Sequence, residues 1–265
     1  MCLKPQLQMN FQSITPDKSI ALFVKNIWVF ENENSTHTSL PFFADGYTGL
    51  MFQQSEKGLT VSPHNKRMPE IFLYGQTIKP ITLEISGAYK VIIFQFYPFV
   101  LKAFWEIVPE SINDSCYYLD NTLGKSIAEL TNELLSAPTI EDKINIMSDL
   151  LLIYFERKKN NLDFSVRQAI QHIIDSNGLV AIKAIAEKEN LNIRTFERRF
   201  LKETGLPAKQ FAKIIQFQSS LEQLTAKDYK KLTDIVYENG FSDQSHFIRV
   251  FKAFTGKTPK SFGGK

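Results

Sequence analysis

The chain has 265 residues, 43% hydrophobic and 22% charged, with a formal net charge of +3. This is the composition of an ordinary soluble globular protein, long enough for two domains. No run of about 18 apolar residues occurs, which excludes a membrane-spanning helix. The first twenty residues hold no apolar stretch long enough for a signal peptide. Cys2 and Cys116 form no CxxC pair and no disulfide framework, which fits a reducing cytoplasm. The charge is unevenly divided. From Leu162 onward there are 17 Lys and Arg against 11 Asp and Glu, and the rest of the chain carries 14 against 17. A basic half joined to an acidic half suggests that one part meets a polyanion.

Residues 20 to 97 read as β-rich. Asn26–Phe30, Gly49–Gln53, Ile71–Tyr74, Ile81–Ile85 and Lys90–Tyr97 are strand-like. They are separated by turn material at Asn32–Ser35, Ser62–Asn65 and Ser86–Gly87. Val91–Tyr97 (VIIFQFY) reads as a buried strand ended by Pro98. Short strands at this spacing predict a small barrel, cupin-like, or a sandwich. After Pro98 the period changes. Phe99–Val108 reads as a short helix, then Thr122–Ser136 and Ile140–Lys159 as two amphipathic helices with Pro138 between them. Thr139, Glu141 and Asp142 supply N-terminal signals for the second. Arg157–Asn161 (RKKNN) closes it as a linker.

The remainder reads as all helix: Asp163–Ser176, Val180–Glu189, Ile193–Glu203, a long helix from Pro207 to about Lys227, Lys231–Glu238, Gln244–Phe254 and Thr258–Phe262. Asn177-Gly178 and Gly205 are stop signals, and Asn192 is a start signal. The expected fold class is α+β. Residues 1–115 form a β-rich sensor or dimerisation domain, 116–161 a helical linker region, and 162–265 an all-α domain.

A repeat lies within that last part. FERRFLKETGLP at 196–207 and FIRVFKAFTGKTP at 247–259 share Phe-x-Arg-x-Phe, three residues, then Thr-Gly, in matched positions 51 apart. A period of that size marks one supersecondary unit used twice. In the first unit Ile182, Ile185 and Ala186 share a face, Asn190-Leu191-Asn192 makes a turn, and Phe196 and Phe200 join the same core. In the second, Leu232, Ile235 and Val236 precede Gly240-Phe241-Ser242, then Phe247 and Phe251. Upstream of the turn the register is 50, so the second turn carries one extra residue. The unit reads as a helix-turn-helix.

Burying the Phe pairs turns Arg194, Glu197 and Arg198 outward in one unit, and Gln244, Ser245, Ile248 and Arg249 in the other. Arg forks onto guanine O6 and N7, Gln pairs with adenine, and Ile meets a thymine methyl. Either face alone could be a solvated helix surface; matched cores and matched exposed Arg in two units favour base reading. The connecting helix, about 20 residues, spans roughly 30 Å. That approaches the roughly 34 Å repeat of major-groove segments on one DNA face. Lys202, Lys209, Lys213, Lys252 and Lys257 are candidates for phosphate contacts, which supply affinity rather than sequence choice.

These residues resemble the AraC/XylS family of bacterial transcription regulators. The strongest stretch is Leu232–Phe262, with its GFSDQS-x-F-x-R-x-FK-x-x-TG-x-TP core, and Leu179–Leu224 is similar to the family's first helix-turn-helix and linker helix. The resemblance implies two recognition helices in the major groove of double-stranded DNA. It also implies an N-terminal domain that binds a small effector or mediates homodimerisation, and an RNA polymerase contact if the protein activates. LPFFADGYTGLMFQ at 40–53, YGQTIKPITLEI at 74–85 and VIIFQFYPF at 91–99 carry the weaker N-terminal resemblance. Gln216 stands where the family often has Arg, Ser220 where it often has Ala, and Gly263-Gly264-Lys265 where an Arg often ends the last helix. These departures are expected to weaken phosphate contacts and leave the fold intact.

The alternative is an enzyme with a barrel active site and an accessory helical domain. His37, His64, His172 and His246 fall in no HxH or HExxH pattern, and no Gly-rich phosphate loop or GxSxG elbow occurs. No metal or cofactor is expected. Cys116 has no nearby His and reads as buried, and Trp28 and Trp105 read as core. A nonspecific architectural DNA binder is the third reading; the unlike faces of the two recognition helices argue against it.

Overall fold

A computed structural model describes residues 10–34, 36–119 and 126–263. Ten strands form in order: β1 (Asn10–Ile14), β2 (Val24–Asn32), β3 (His37–Phe42), β4 (Thr48–Ser55), β5 (Leu59–Ser62), β6 (Lys66–Met68), β7 (Ile71–Tyr74), β8 (Ile81–Ser86), β9 (Tyr89–Phe96) and β10 (Cys116–Tyr118). Every pairing is antiparallel. One sheet has the order β1-β2-β9-β4-β7-β10 and the other β3-β8-β5-β6. Among the described residues the two sheets do not pair at their edges. The β-rich domain is therefore a sandwich, and the closed, cupin-like barrel entertained from strand spacing does not form.

Side chains alternate across each strand, so the larger sheet feeds two cores. Trp28, Phe30, Met51, Phe72, Val91 and Ile93 face the small sheet's Leu40, Leu59, Val61, Leu83 and Ile85. Ile27, Leu50, Phe52, Leu73, Ile92 and Phe94 face the helices. β9 sits between β2 and β4 and is covered on both faces, which is why its centre, Val91–Phe94, is a continuous apolar run.

The helices follow: α1 (Val100–Trp105), α2 (Ile127–Ser136), α3 (Ile140–Lys158), α4 (Phe164–Asp175), α5 (Ile182–Lys188), α6 (Ile193–Thr204), α7 (Ala208–Ala226), α8 (Leu232–Glu238), α9 (Gln244–Thr255) and α10 (Pro259–Gly263). Capping boxes start α2 at Ser126/Glu129 and α3 at Thr139/Asp142. The predicted start of the first of these at Thr122 lies outside the described residues, as does Cys2. The Lys143 ammonium is buried and donates to the carbonyls of Leu134 and Ala137, closing the C-terminal end of α2. No described helix is long and apolar enough to cross a membrane.

The helix-facing core does not stop at the expected linker. Leu151 and Phe155 of α3, Ile170 of α4, Phe196 and Phe200 of α6 and Phe211 of α7 belong to one cluster with the sheet. A separate cluster joins Phe217 and Leu221 of α7 to Ile235, Phe247 and Phe251.

Candidate nucleic-acid interface

The two repeats fold as two heads, α5–α6 and α8–α9, with α7 between them. In the first, Phe196 and Phe200 pack with tilted rings 5.8 Å apart between centroids, and Phe200 meets Phe211 of α7 at the same distance. In the second, Phe247 and Phe251 lie 5.6 Å apart and Phe251 meets Phe217. All four repeat phenylalanines are fully buried. Asn192 caps α6 by accepting from the Thr195 N–H at 2.9 Å, and Asp243 caps α9 by accepting from His246 at 2.8 Å. The His246 N–H, then the Ser242 hydroxyl, hold the Asp243 carboxyl below its ordinary value. Asn190 and Gly240 both take a positive φ, 54° and 68°, so each turn reverses at one left-handed residue.

The predicted reading residues lie on α6 and α9. Arg194, Glu197, Arg198, Gln244, Ser245 and Arg249 are exposed, and Ile248 is half-buried. Arg194, Arg198 and Arg249 have no hydrogen bond or ion pair among the described residues, so their donors are free. Arg199 differs: its guanidinium forks onto Asp163 at 2.7 and 2.9 Å, fastening α6 to the start of α4. Lys202, Lys209, Lys213, Lys252 and Lys257 are all exposed.

Two departures from the family pattern have structural employment. The Gln216 amide donates to the Asn239 carbonyl at 2.7 Å, and Asn239 in turn donates to Gln223 at 2.7 Å. The linker helix is thereby bonded to the turn of the second head. The Ser220 hydroxyl donates to the Phe217 carbonyl one turn back, which lets it occupy a buried small-residue position.

Sequence reasoning missed the seam between the β-rich part and the heads. The loop after β3 lies along α7: the Ala44 carbonyl accepts from Gln218, and a side chain at Gly46 would meet the Phe211 ring at 2.7 Å. Phe43 packs edge-on against Phe262 of α10 at 5.5 Å. Asp45 is buried there, accepting from the Tyr47 N–H at 3.0 Å and from the Gln95 amide at 2.8 Å. Burial raises its carboxyl to about 6 against the pull of those two bonds. Further along, Gln76 donates to the Thr204 carbonyl and Asn113 to the Gly205 carbonyl at 2.9 Å.

Between the sheets is a cavity of about 40 Å³. Phe42, Met51, Val61, Phe72 and Leu83 make it apolar, with Thr77, Asp114, Ser115 and Cys116 at one side. Burial pushes the Cys116 thiol up to about 11, so it is a neutral wall group. His37 pairs with Glu84 at 2.9 Å on the outside of the small sheet. No group of three or more His, Cys, Asp or Glu that could hold a metal occurs among the described residues.

Two helix-turn-helix heads with free outward arginines define a two-headed DNA-binding protein. Comparison with known proteins agrees. Residues 185–264 match the model of a helix-turn-helix domain, and residues 12–117 match a domain of unknown function. The transcriptional activator RhaS of Salmonella heidelberg is 25% identical over 140 residues, covering 51% of this chain and 50% of that protein. RhaS of Escherichia coli is 30% identical over 77 residues, covering 29% of this chain and 27% of that protein. The chain thus spans half or less of the curated relatives it matches. Among solved structures, ToxT from Vibrio cholerae O395 is similar with a TM-score of 0.46 and 13% identity, covering 96% of each chain. The C-terminal part of the chain, residues 185–264, is an AraC-type helix-turn-helix domain. The relatives are regulators, and the enzyme reading is set aside.

Proposed function

We propose that this regulator reads two successive major-groove segments with α6 and α9, under control of its β-rich domain. The observation that carries the reading is the duplicated unit: two buried Phe pairs, each presenting an exposed, unengaged Arg on the opposite helix face. Arg194, Glu197 and Arg198 read one segment, and Gln244, Ser245, Ile248 and Arg249 the other. Lys202, Lys209, Lys213, Lys252 and Lys257 hold phosphates. The 19 residues of α7 span about 28 Å, close to one turn of DNA. Residues 162–265 act as the DNA-binding part, 116–161 as the helical connection and 1–115 as the sensor. The cavity between the sheets takes a small, largely apolar effector with a polar end near Asp114. The setting is the cytoplasm; homodimerisation and an RNA polymerase contact would serve an activator.

The test is selection of binding sites from fragmented source-genome DNA at about 150 mM salt. Wild type should enrich one site about two helical turns long, and an Arg198→Ala/Arg249→Ala double variant should lose it. Enrichment by both proteins alike would overturn the assignment.

A further inference from the structure

The two heads are built alike and held differently. Thr204-Gly205 ends α6 and Thr255-Gly256 ends α9, and the internal chemistry is the same. Thr204 Oγ1 donates to Phe200 O at 2.8 Å and Thr255 Oγ1 to Phe251 O at 2.7 Å, and both glycines are left-handed at φ 78° and 73°. Outside the heads the match ends. The Thr204 and Gly205 carbonyls each accept an amide from the β-rich part. A side chain at Gly205 would lie 2.6 Å from the Glu110 backbone N, whereas around Gly256 the nearest atom is Pro80 Cγ at 4.0 Å. Among the described residues no side chain of the β-rich part hydrogen-bonds to Thr255 or Gly256, and the second head's core meets that part only through the apolar Phe43, Ala44 and Ile78.

The two amides come from two short straps, 75–77 and 113–116. The straps are tied together by Gly75 N–H to Ser115 O at 3.1 Å and Asp114 N–H to Gln76 O at 2.9 Å. Gly75, Thr77, Asp114, Ser115 and Cys116 line the cavity, while Gln76 and Asn113 reach the first head. A cavity of about 40 Å³ holds only about three waters, so an organic effector must move a wall. The strands are locked by their ladders, and the straps are the part of the wall outside them, save for the edge residue Cys116. The grip is also easy to release. Gln76 Oε1 and Asn113 Oδ1 are buried with no protein partner among the described residues, so each bond to the head carries an uncompensated acceptor.

We infer that occupancy of the inter-sheet cavity is relayed chiefly to the first head, through the Gln76 and Asn113 amides, leaving the second head, which meets the β-rich part through apolar contacts, as the steadier anchor on DNA. The inference rests on the reading of the cavity as an effector site. Its test uses full-length protein and hydrogen exchange, which needs neither operator nor ligand. Gln76→Ala and Asn113→Ala should each speed exchange in 201–207 about fivefold, the usual worth of one hydrogen bond, and leave 252–258 unchanged. Val61→Leu and Val61→Phe fill the cavity in two steps and should reproduce the effect in graded fashion; should the larger side chain unfold the sandwich, the smaller carries the test. Equal response of both windows, or none in 201–207, overturns the inference. Failure of the wild type to select any DNA sequence would instead sink the proposed function and leave the exchange result standing.

Discussion

Gly205→Ala should destabilise the protein more than Gly256→Ala, although the two glycines occupy matched positions in the repeat. Both adopt a left-handed conformation, so alanine costs about 1–2 kcal/mol at either site. At Gly256 the space beyond is open, and the loss should end there. At Gly205 the new methyl group would lie 2.6 Å from Glu110 N and 2.7 Å from the Pro109 carbonyl carbon. Both are backbone atoms and cannot swing aside, so the seam must open. Overpacking of this kind costs about 1–3 kcal/mol, which brings the total at Gly205 to about 2–5 kcal/mol. Urea unfolding of the full chain measures the difference. Both tryptophans, Trp28 and Trp105, lie in the N-terminal half, so fluorescence reports that half and far-ultraviolet dichroism reports the whole. In the Gly205 variant the two transitions should separate, because the seam couples the halves. Equal losses with coincident transitions in both variants would refute the account of the seam.

Three other outcomes are expected. Arg249→Ala should cost about 1–3 kcal/mol on the selected site and relax base preference at one position, with random DNA little affected; equal loss on both counts against base reading. Asp45 has a folded-state value near 6 against 3.8 for the free side chain, so its contribution is fully present below about pH 4 and lost as pH rises through 6. Asp45→Asn should therefore raise stability at pH 7 by up to about 3 kcal/mol and flatten that dependence, with Gln95 and Asn26 turning their amides over to keep the bonds. A pH profile identical to wild type would refute it. Asn192→Ala should cost about 1 kcal/mol by freeing the Thr195 N–H, visible as faster exchange in the first turn of α6; unchanged exchange there would show that the cap carries no weight.

The helical half was legible because its signals are local. Phe pairs four residues apart, Asn192 as cap, Gly205 as stop and Pro207 as start each act within one turn, and the reading faces follow once the Phe side is buried. β9 was legible because a strand covered on both faces carries an unbroken apolar stretch, here Val91–Phe94. β1, β3, β5, β6 and β10 were not. They are short, and β3 carries Pro41 and β6 two cations, so nothing in them alternates for long. That the sheets form a sandwich is a matter of which edges pair, which no single strand encodes. The seam was invisible for a similar reason. Gln76 and its partner are 128 residues apart, and an amide in a loop has no periodicity to betray it. Gln216, expected only to forfeit a phosphate contact, bonds to a turn 23 residues away.

Synthesis runs from the N-terminus, so the seat for the first head is translated well before the head that occupies it. At about 5–20 residues per second, Gln76 precedes Thr204 by roughly 6–25 s. The strand pairings of the sandwich all lie between Asn10 and Tyr118, so its ladders and inter-sheet core can assemble in that interval, before the later helices cover the outer face of the larger sheet. The first head then meets a finished surface as it emerges, while the second closes mainly around α7 and its own helices. Two copies of one unit thus have different folding histories: one is moulded against a template, the other is largely self-assembled.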